Sequence, residues 1–139
     1  MRRLTVGDFM TSAPLTISPR ETLAEAHAAM RRARIRHLPV LQGKKLVGLV
    51  TQSDLQLMET LRDVDPAEVT VSEAMSRALY TASPAAHLDQ VCRQMVERHI
   101  GSTVVVVRGK PVGVFTTVDA LRALATLAAP APRRPRRLS

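Results

Sequence analysis

The sequence is short of most residues on which specialised architectures are built. A single cysteine, Cys92, stands among 139 residues, which excludes an intramolecular disulfide and any CxxC zinc or redox site, so a reducing, cytoplasmic location is expected. Tryptophan is absent, and two Phe and one Tyr are the only aromatics, too few for a platform on which single-stranded nucleic acid stacks its bases. No apolar run approaches the roughly 18 residues of a membrane span. The basic start Met1-Arg2-Arg3 leads to Asp8 and not into an apolar stretch, so no secretory leader is expected. Ser-His-Asp spacing, HExxH and GxxxxGK[ST] are all missing, and His27, His37, His87 and His99 contain no i, i+4 ligand pair; neither an enzyme nor a metal site is expected. His27 and His87 read as surface or core-edge residues, and Cys92 reads as a packed thiol.

What is present is an ordinary globular mixture, 45% hydrophobic and 23% charged, in a length that suits one compact domain or two small units sharing a core. The net charge of +8 suggests an anionic partner until its location is read. Residues 6–122 hold 14 basic and 12 acidic side chains, and the excess sits in Arg2, Arg3, Arg133, Arg134, Arg136 and Arg137. The Pro- and Arg-rich end has almost nothing to bury, so residues 128–139 are expected to form a disordered basic tail. Such a tail either aids solubility or touches an acidic partner, nucleic acid or a phosphate surface.

The chain repeats itself. A shift of 65 residues superposes Val6–Gln56 on Val71–Leu121 without a gap, with 15 of 51 positions identical. Roughly three or four identities would arise by chance, so the repeat is a duplication. Asp65-Pro66 marks a turn-prone join, and the units are placed at residues 1–60 and 61–127.

Each half carries the same local signals. Thr5-Val-Gly-Asp8 and Thr70-Val-Ser-Glu73 have the form of capping boxes that open short helices. Ser18-Pro-Arg-Glu21, echoed by Ser83-Pro84, has the form of an N-cap followed by proline in the first turn. Leu23, Ala26 and Met30, matched by Leu88, Val91 and Met95, give apolar faces of helical period. The period then changes: Leu38–Gln42 with Leu46–Thr51, and Thr103–Val107 with Val112–Thr116, read as two hairpins turned at Gly43 and Gly109. The run Val104–Val107 is apolar at every residue, so its strand is expected to be covered on both faces. A mixed α/β fold of two sheet-and-helix units packed face to face follows.

One constellation could carry chemistry: Gly48-x-x-Thr51-x-x-Asp54 and its copy Gly113-x-x-Thr116-x-x-Asp119. Glycine in a strand admits the close approach of a ligand or of another backbone. The threonine hydroxyl and the N–H groups of a starting helix could seat phosphate or ribose oxygens, and the carboxylate could accept from a vicinal diol. The same residues are equally a helix N-cap with its reciprocal acid.

In order, spacing and duplication these motifs resemble the CBS domain family, named after cystathionine β-synthase, as a tandem pair. The residues that carry the resemblance are the Val-x-[Asp/Glu]-x-Met openings, the Thr-x-Ser-Pro entries, Ile35-Arg36-His37-Leu38-Pro39-Val40 and the two Gly-x-x-Thr-x-x-Asp endings. They span about residues 5–122. The resemblance implies a β-α-β-β-α unit in each half, two clefts, pairing into a homodimer, and an adenosine-containing effector such as AMP, ADP, ATP or S-adenosylmethionine in place of a required cofactor. It further implies that Asp54 and Asp119 hold ribose hydroxyls and that Thr51 and Thr116 meet ribose or phosphate oxygens. Thr16 and Ile17, with Thr81 and Ala82, would line adenine pockets, bordered by His37, Leu38 and Pro39 and, in the second half, by Thr103. Arg36 would reach a phosphate.

Departures from the family pattern are Ser53 and Val118, where many members carry a cation, and Gly101-Ser102 in place of Arg36-His37. The first cleft is therefore expected to be the better nucleotide site, with adenine held by aliphatic walls and backbone groups. The functional expectation is a regulatory ligand sensor whose partner is an enzyme or transporter; the alternatives are a nucleic-acid-binding protein using the arginine arms, or a dimeric adaptor with empty pockets.

Overall fold

The computed structural model describes residues 3–13, 15–61 and 63–130. After a 3-10 turn at Val6–Asp8, the first half runs β1 (Thr11–Ser12), α1 (Leu23–Ala33), β2 (His37–Gln42), β3 (Lys45–Thr51) and α2 (Gln52–Glu59). The second half runs α3 (Val71–Ala74), β4 (Thr81–Ala82), α4 (Leu88–Arg98), β5 (Ser102–Val107), β6 (Lys110–Thr116) and α5 (Thr117–Ala128). Positions 131–139 of the expected tail, with Arg133, Arg134, Arg136 and Arg137, lie outside the described residues, as does Arg2. Arg3 is engaged, its guanidinium donating to both carboxylate oxygens of Asp89 at 3.1 and 2.9 Å.

The expected apolar faces meet the expected cores. Leu23, Ala26 and Met30 of α1 pack with Leu38, Val40, Val50 and Leu55, while Leu88, Val91 and Met95 of α4 pack with Val105, Phe115 and Ala123. Each fully buried Leu or Phe contributes roughly 1.5–3 kcal/mol. A third cluster, Leu49, Val104 and Val114 with Leu46 and Val106 around them, joins the two sheets. Val104 therefore serves the sheet-to-sheet contact and Val105 the helix-covered face, which accounts for a strand apolar at every position.

The helix entries differ from the sequence expectation. Ser18 does not cap α1, because Ser18 to Glu21 close a turn of their own: the Glu21 N–H donates to Ser18 O at 3.1 Å and the Ser18 N–H to Glu21 Oε2 at 2.7 Å. The cap is Thr22, whose hydroxyl accepts from the Glu25 N–H at 3.2 Å just before the first buried leucine. In the second half that place belongs to His87, which has no hydroxyl and makes no side-chain cap; its Nδ1 is buried without a partner. Thr70 likewise makes no cap, its hydroxyl pairing with that of Ser72 at 2.9 Å.

The opening segment of each half crosses to the other half. Val6 and Gly7 donate to Ala86 O and Pro84 O at 2.9 Å, and Leu88 donates to Leu4 O; in return Val71 and Ser72 donate to Glu21 O and Pro19 O, and Leu23 to Val69 O. Strand β1 pairs antiparallel with β6, giving a sheet of order β1-β6-β5-β4, and Ser76 bridges Leu49 of β3. Val6 accordingly lies in the second core and Val71 in the first.

Glycine makes the crossing feasible. A Cβ on Gly113 would lie 2.7 Å from Met10 Sδ and 2.9 Å from Thr11 O, and one on Gly48 would lie 2.5 Å from Met75 Sδ. Of the two approaches glycine permits, the one realised here is that of another backbone. Gly113→Ala is expected to destabilise the protein by about 1–3 kcal/mol in urea unfolding. Gly101→Ala, whose Cβ would meet nothing nearer than Thr117 Oγ1 at 3.5 Å, is expected to change little. Equal stability of the Gly113 variant and wild type would contradict the seating of β1 on β6.

Candidate ligand-binding cleft

Both Gly-x-x-Thr-x-x-Asp motifs form their capping boxes. The Thr51 N–H donates to Asp54 Oδ2 at 2.9 Å and the Asp54 N–H to Thr51 Oγ1 at 3.1 Å. The corresponding bonds of Thr116 and Asp119 are 2.9 and 3.3 Å, and the Thr116 hydroxyl also donates to Asp119 Oδ2 at 3.1 Å. The capping role is therefore real in each half and uses Oδ2.

The halves differ at the other carboxylate oxygen. Because β1 lies on β6, the Thr11 hydroxyl reaches Asp119 Oδ1 and donates to it at 2.9 Å, with Arg122 Nη1 at 3.7 Å from the same oxygen. Asp119 is only 2% exposed. Asp54 is partly exposed, and none of the described residues bonds its Oδ1.

Around Asp119 opens a cavity of about 360 Å³, lined by Thr11, Ser12 and Ala13 from β1 and its exit, by Arg34 to His37 between α1 and β2, and by Val114, Thr116, Val118 and Arg122. This volume suits a small-molecule site. A groove of about 270 Å³ continues from it between the starts of α2 and α5, where Arg36 and His37 face Thr51, Gln52, Ser53, Gly101, Thr116 and Thr117. The Gln52 N–H donates to Arg36 O at 2.9 Å, which pins Arg36 at the head of α2. Arg34 closes α1 in the left-handed region at φ 55°, and the next N–H, that of Ile35, donates to Met30 O at 3.0 Å.

Of the residues expected from sequence, the cavity and groove unite Arg36, His37, Thr51, Thr116 and Asp119. Arg36 and His37, expected beside the first half's carboxylate, line the cavity at Asp119 together with Thr11 of β1. Leu38 lies in the first core, and Pro39 and Thr103 are buried in β2 and β5, the Thr103 hydroxyl without a partner. Ile17 is held beside β2, its N–H donating to Pro39 O at 3.0 Å, and Thr16 next to it is exposed. Thr81 and Ala82 form β4 alongside Val104 and Val105. None of these seven lines the cavity or the groove. Sequence reasoning missed Thr11, Arg34 and Arg122. Arg122 was readable as the i+3 neighbour of Asp119 on a helix face; Thr11, 108 positions away, gave no signal.

The family model of the CBS domain matches residues 6–57 and 71–126. The chain belongs to the CBS domain family. The CBS domain-containing protein YhcV of Bacillus subtilis is 30% identical over 114 residues, covering 82% of this chain and 81% of that protein. The CBS domain pair of protein MJ0100, solved in complex with 5′-methylthioadenosine and S-adenosyl-L-methionine, is 26% identical, covers 91% of this chain and 99% of that one, and superposes with a TM-score of 0.77. The inosine-5′-monophosphate dehydrogenase of Korarchaeum cryptofilum is 30% identical over 112 residues, but the chain spans 22% of that enzyme, so the activity of the whole enzyme does not carry over. Among the described residues no helix is long and apolar enough to cross a membrane, and no group of three or more His, Cys, Asp or Glu could hold a metal ion.

Burial pushes the His37 imidazole below its ordinary pKa; Asp119 and then Asp54 pull it up, and Arg36 pushes it further down. The folded protein thus holds His37 neutral more firmly than the unfolded chain does, and the unfolded chain binds more protons in the window between the two pKa values. This contribution to stability is complete above pH 6.5, the ordinary value, and is lost as pH falls through the folded pKa. Thermal unfolding between about pH 7.5 and 5.5 is expected to show a smaller acid-side fall for His37→Gln than for wild type. Identical pH profiles would remove His37 from the account.

Proposed function

We propose that this chain is a non-catalytic regulatory protein that binds an adenosine-containing effector, one of AMP, ADP, ATP or S-adenosylmethionine. The observation that carries the reading is the cavity at Asp119, where hydrogen-bond acceptors, a hydroxyl pair and cations from both halves converge. Oδ1 of Asp119 takes one bond from Thr11 and keeps a lone pair for a ribose hydroxyl. Thr11, having given its proton to Asp119, presents its own oxygen as acceptor to the second hydroxyl of a vicinal diol. The MJ0100 pair, solved with two adenosyl compounds, supports the same ligand class. A ligand seated here touches both halves, so it can regulate to the extent that it prefers one arrangement of them.

Calorimetric titration with the four compounds is expected to give binding that Asp119→Ala weakens by about 10- to 150-fold, the worth of a charge-assisted bond of about 1.5–3 kcal/mol. Since Asp119 also caps α5, Thr11 supplies a gentler comparison. Thr11→Val is expected to lose about 3- to 10-fold and Thr11→Ser to stay near wild type. Binding that ignores all three substitutions would place the ligand elsewhere.

The protein acts as a homodimer in this reading. Helix α5 leaves Leu121, Leu124 and Leu127 more than half exposed, at 56–60%, on one side of the helix about 120° wide that suits burial against the same side of a second copy. Analytical ultracentrifugation is expected to find a dimer that Leu121→Glu with Leu124→Glu converts to a monomer. A monomeric wild type would defeat this part of the reading.

A further inference from the structure

We propose that the crevice between α1 and the start of α2 docks an acidic segment of a partner protein, with one Asp or Glu side chain seated in the crevice and its acidic neighbours on the arginines around it. The proposal does not depend on what the cavity at Asp119 binds.

The crevice has a volume of about 290 Å³. Its rim carries three guanidinium groups, those of Arg31, Arg34 and Arg36, all exposed residues. Met30, 3% exposed, and the half-buried Ile35 supply the apolar part of the lining. His27 and Gln52 complete it, and His27 Nε2 is already engaged by Glu59 Oε1 at 2.5 Å. No described carboxylate comes within ion-pair distance of Arg31, Arg34 or Arg36. Three like charges gathered without a counter-ion repel one another, an arrangement that folding alone does not favour.

The repeat shows that the scaffold does not require these charges. Shifted by 65 residues, Met30 and Ile35 become Met95 and Ile100, so the apolar lining is retained. Arg31, Arg34 and Arg36 become Val96, His99 and Gly101, and His27 becomes Cys92. Helices α1 and α4 nevertheless have the same length, 11 residues, and both end in a left-handed residue, Arg34 and His99. The arginines therefore sit on one half only, at positions where the other half folds equally well without them.

The lining selects the partner. Guanidinium groups pair with carboxylates and phosphates alike, but the apolar surface beneath them tells the two apart. The methylenes of a glutamate can lie on Met30 and Ile35 while its carboxylate meets the rim, whereas a nucleic-acid backbone brings only hydrated phosphate and sugar to that surface. No aromatic residue lines the crevice for a base to stack on. Val118, 55% exposed, shares the groove between α2 and α5 with Arg36, which gives an apolar residue of the same segment a place beside its acids. None of the crevice residues belongs to the α5 face assigned to the dimer.

The test is fluorescence anisotropy of labelled hexaglutamate with the full chain, with hexaglutamine and a short DNA duplex as comparison probes and a melting curve for each variant. Hexaglutamate is expected to bind and to weaken as salt is raised, and hexaglutamine is expected not to bind. Arg31→Glu should weaken hexaglutamate by about 10-fold or more and Arg31→Gln by about 3- to 10-fold, both at a melting temperature near that of wild type because Arg31 is exposed. Two controls are expected to stay within about twofold of wild type: Lys44→Glu, the same change of charge on the turn between β2 and β3, and joint replacement of Arg133, Arg134, Arg136 and Arg137 by serine. No hexaglutamate binding, equal binding of hexaglutamine, equal losses in Arg31→Glu and Lys44→Glu, or a loss confined to the serine variant would each overturn the proposal. A DNA duplex that binds more tightly than hexaglutamate and is weakened by Arg31→Glu would overturn it in favour of nucleic acid.

Discussion

The close approach of Met10 and Thr11 to Gly113, mirrored by Met75 and Ser76 at Gly48, is the constraint from which the rest of the structure follows. A side chain at Gly113 would press on the Thr11 carbonyl at 2.9 Å and one at Gly48 on the Met75 side chain at 2.5 Å, so at either position the neighbour would have to shift. With glycine there, the opening segment of one half completes the sheet of the other and its valine completes the other core. Neither half has a full hydrophobic core alone, so the two segments that match the family model form one folding unit. Sequence duplication and structural unit are thus out of phase by the length of one short helix and strand.

The exchange also determines what can be chemically asymmetric. Both halves retain the Thr and Asp that start the last helix, because losing them would leave helix N–H groups without acceptors. The residues that surround each carboxylate come partly from the opposite half and are free to diverge. The first half lends hydroxyl-bearing Thr11 and the Arg34–His37 segment to Asp119; the second half has glycine and serine to lend in place of Arg36 and His37. One duplication has thereby yielded two motif carboxylates with neighbours of different charge without disturbing the scaffold common to them.

Much of the fold was legible because period and capping are local. The helix faces at Leu23, Ala26 and Met30, both hairpins, and both Thr-x-x-Asp starts needed only neighbours within a few residues. The helix entries were misread where two local solutions compete. Ser18-Pro19 satisfies Glu21 in a turn of its own, and Thr22, one residue before the buried Leu23, takes the cap. The membership of the cleft was legible only in part. Residues of one half were assigned to the carboxylate of that half, and nothing in Thr11 and Ser12 announces that they lie on β6. Arg36 and His37 were assigned to the first half's carboxylate for the same reason, and they line the cavity that holds Asp119.

The two readings of Thr-x-x-Asp, helix cap and ligand holder, turn out not to compete. A carboxylate has two oxygens, and at Asp119 Oδ2 is consumed by Thr116 while Oδ1 faces Thr11 and the cavity. The cap fixes the rotamer, so the proposed diol would meet an acceptor already oriented and would cost little side-chain freedom. Burial of Asp119 strengthens this arrangement, because an acceptor shielded from water makes stronger bonds to the few donors that reach it. Thr11 is the necessary third member. Without Thr11 that oxygen would keep only the Arg122 guanidinium, 3.7 Å away and beyond hydrogen-bond reach, a costly state for a buried charge. The threonine satisfies the carboxylate and, in the proposed complex, would offer its own lone pairs to the diol; it reaches Asp119 because β1 pairs with β6 of the other half of the chain.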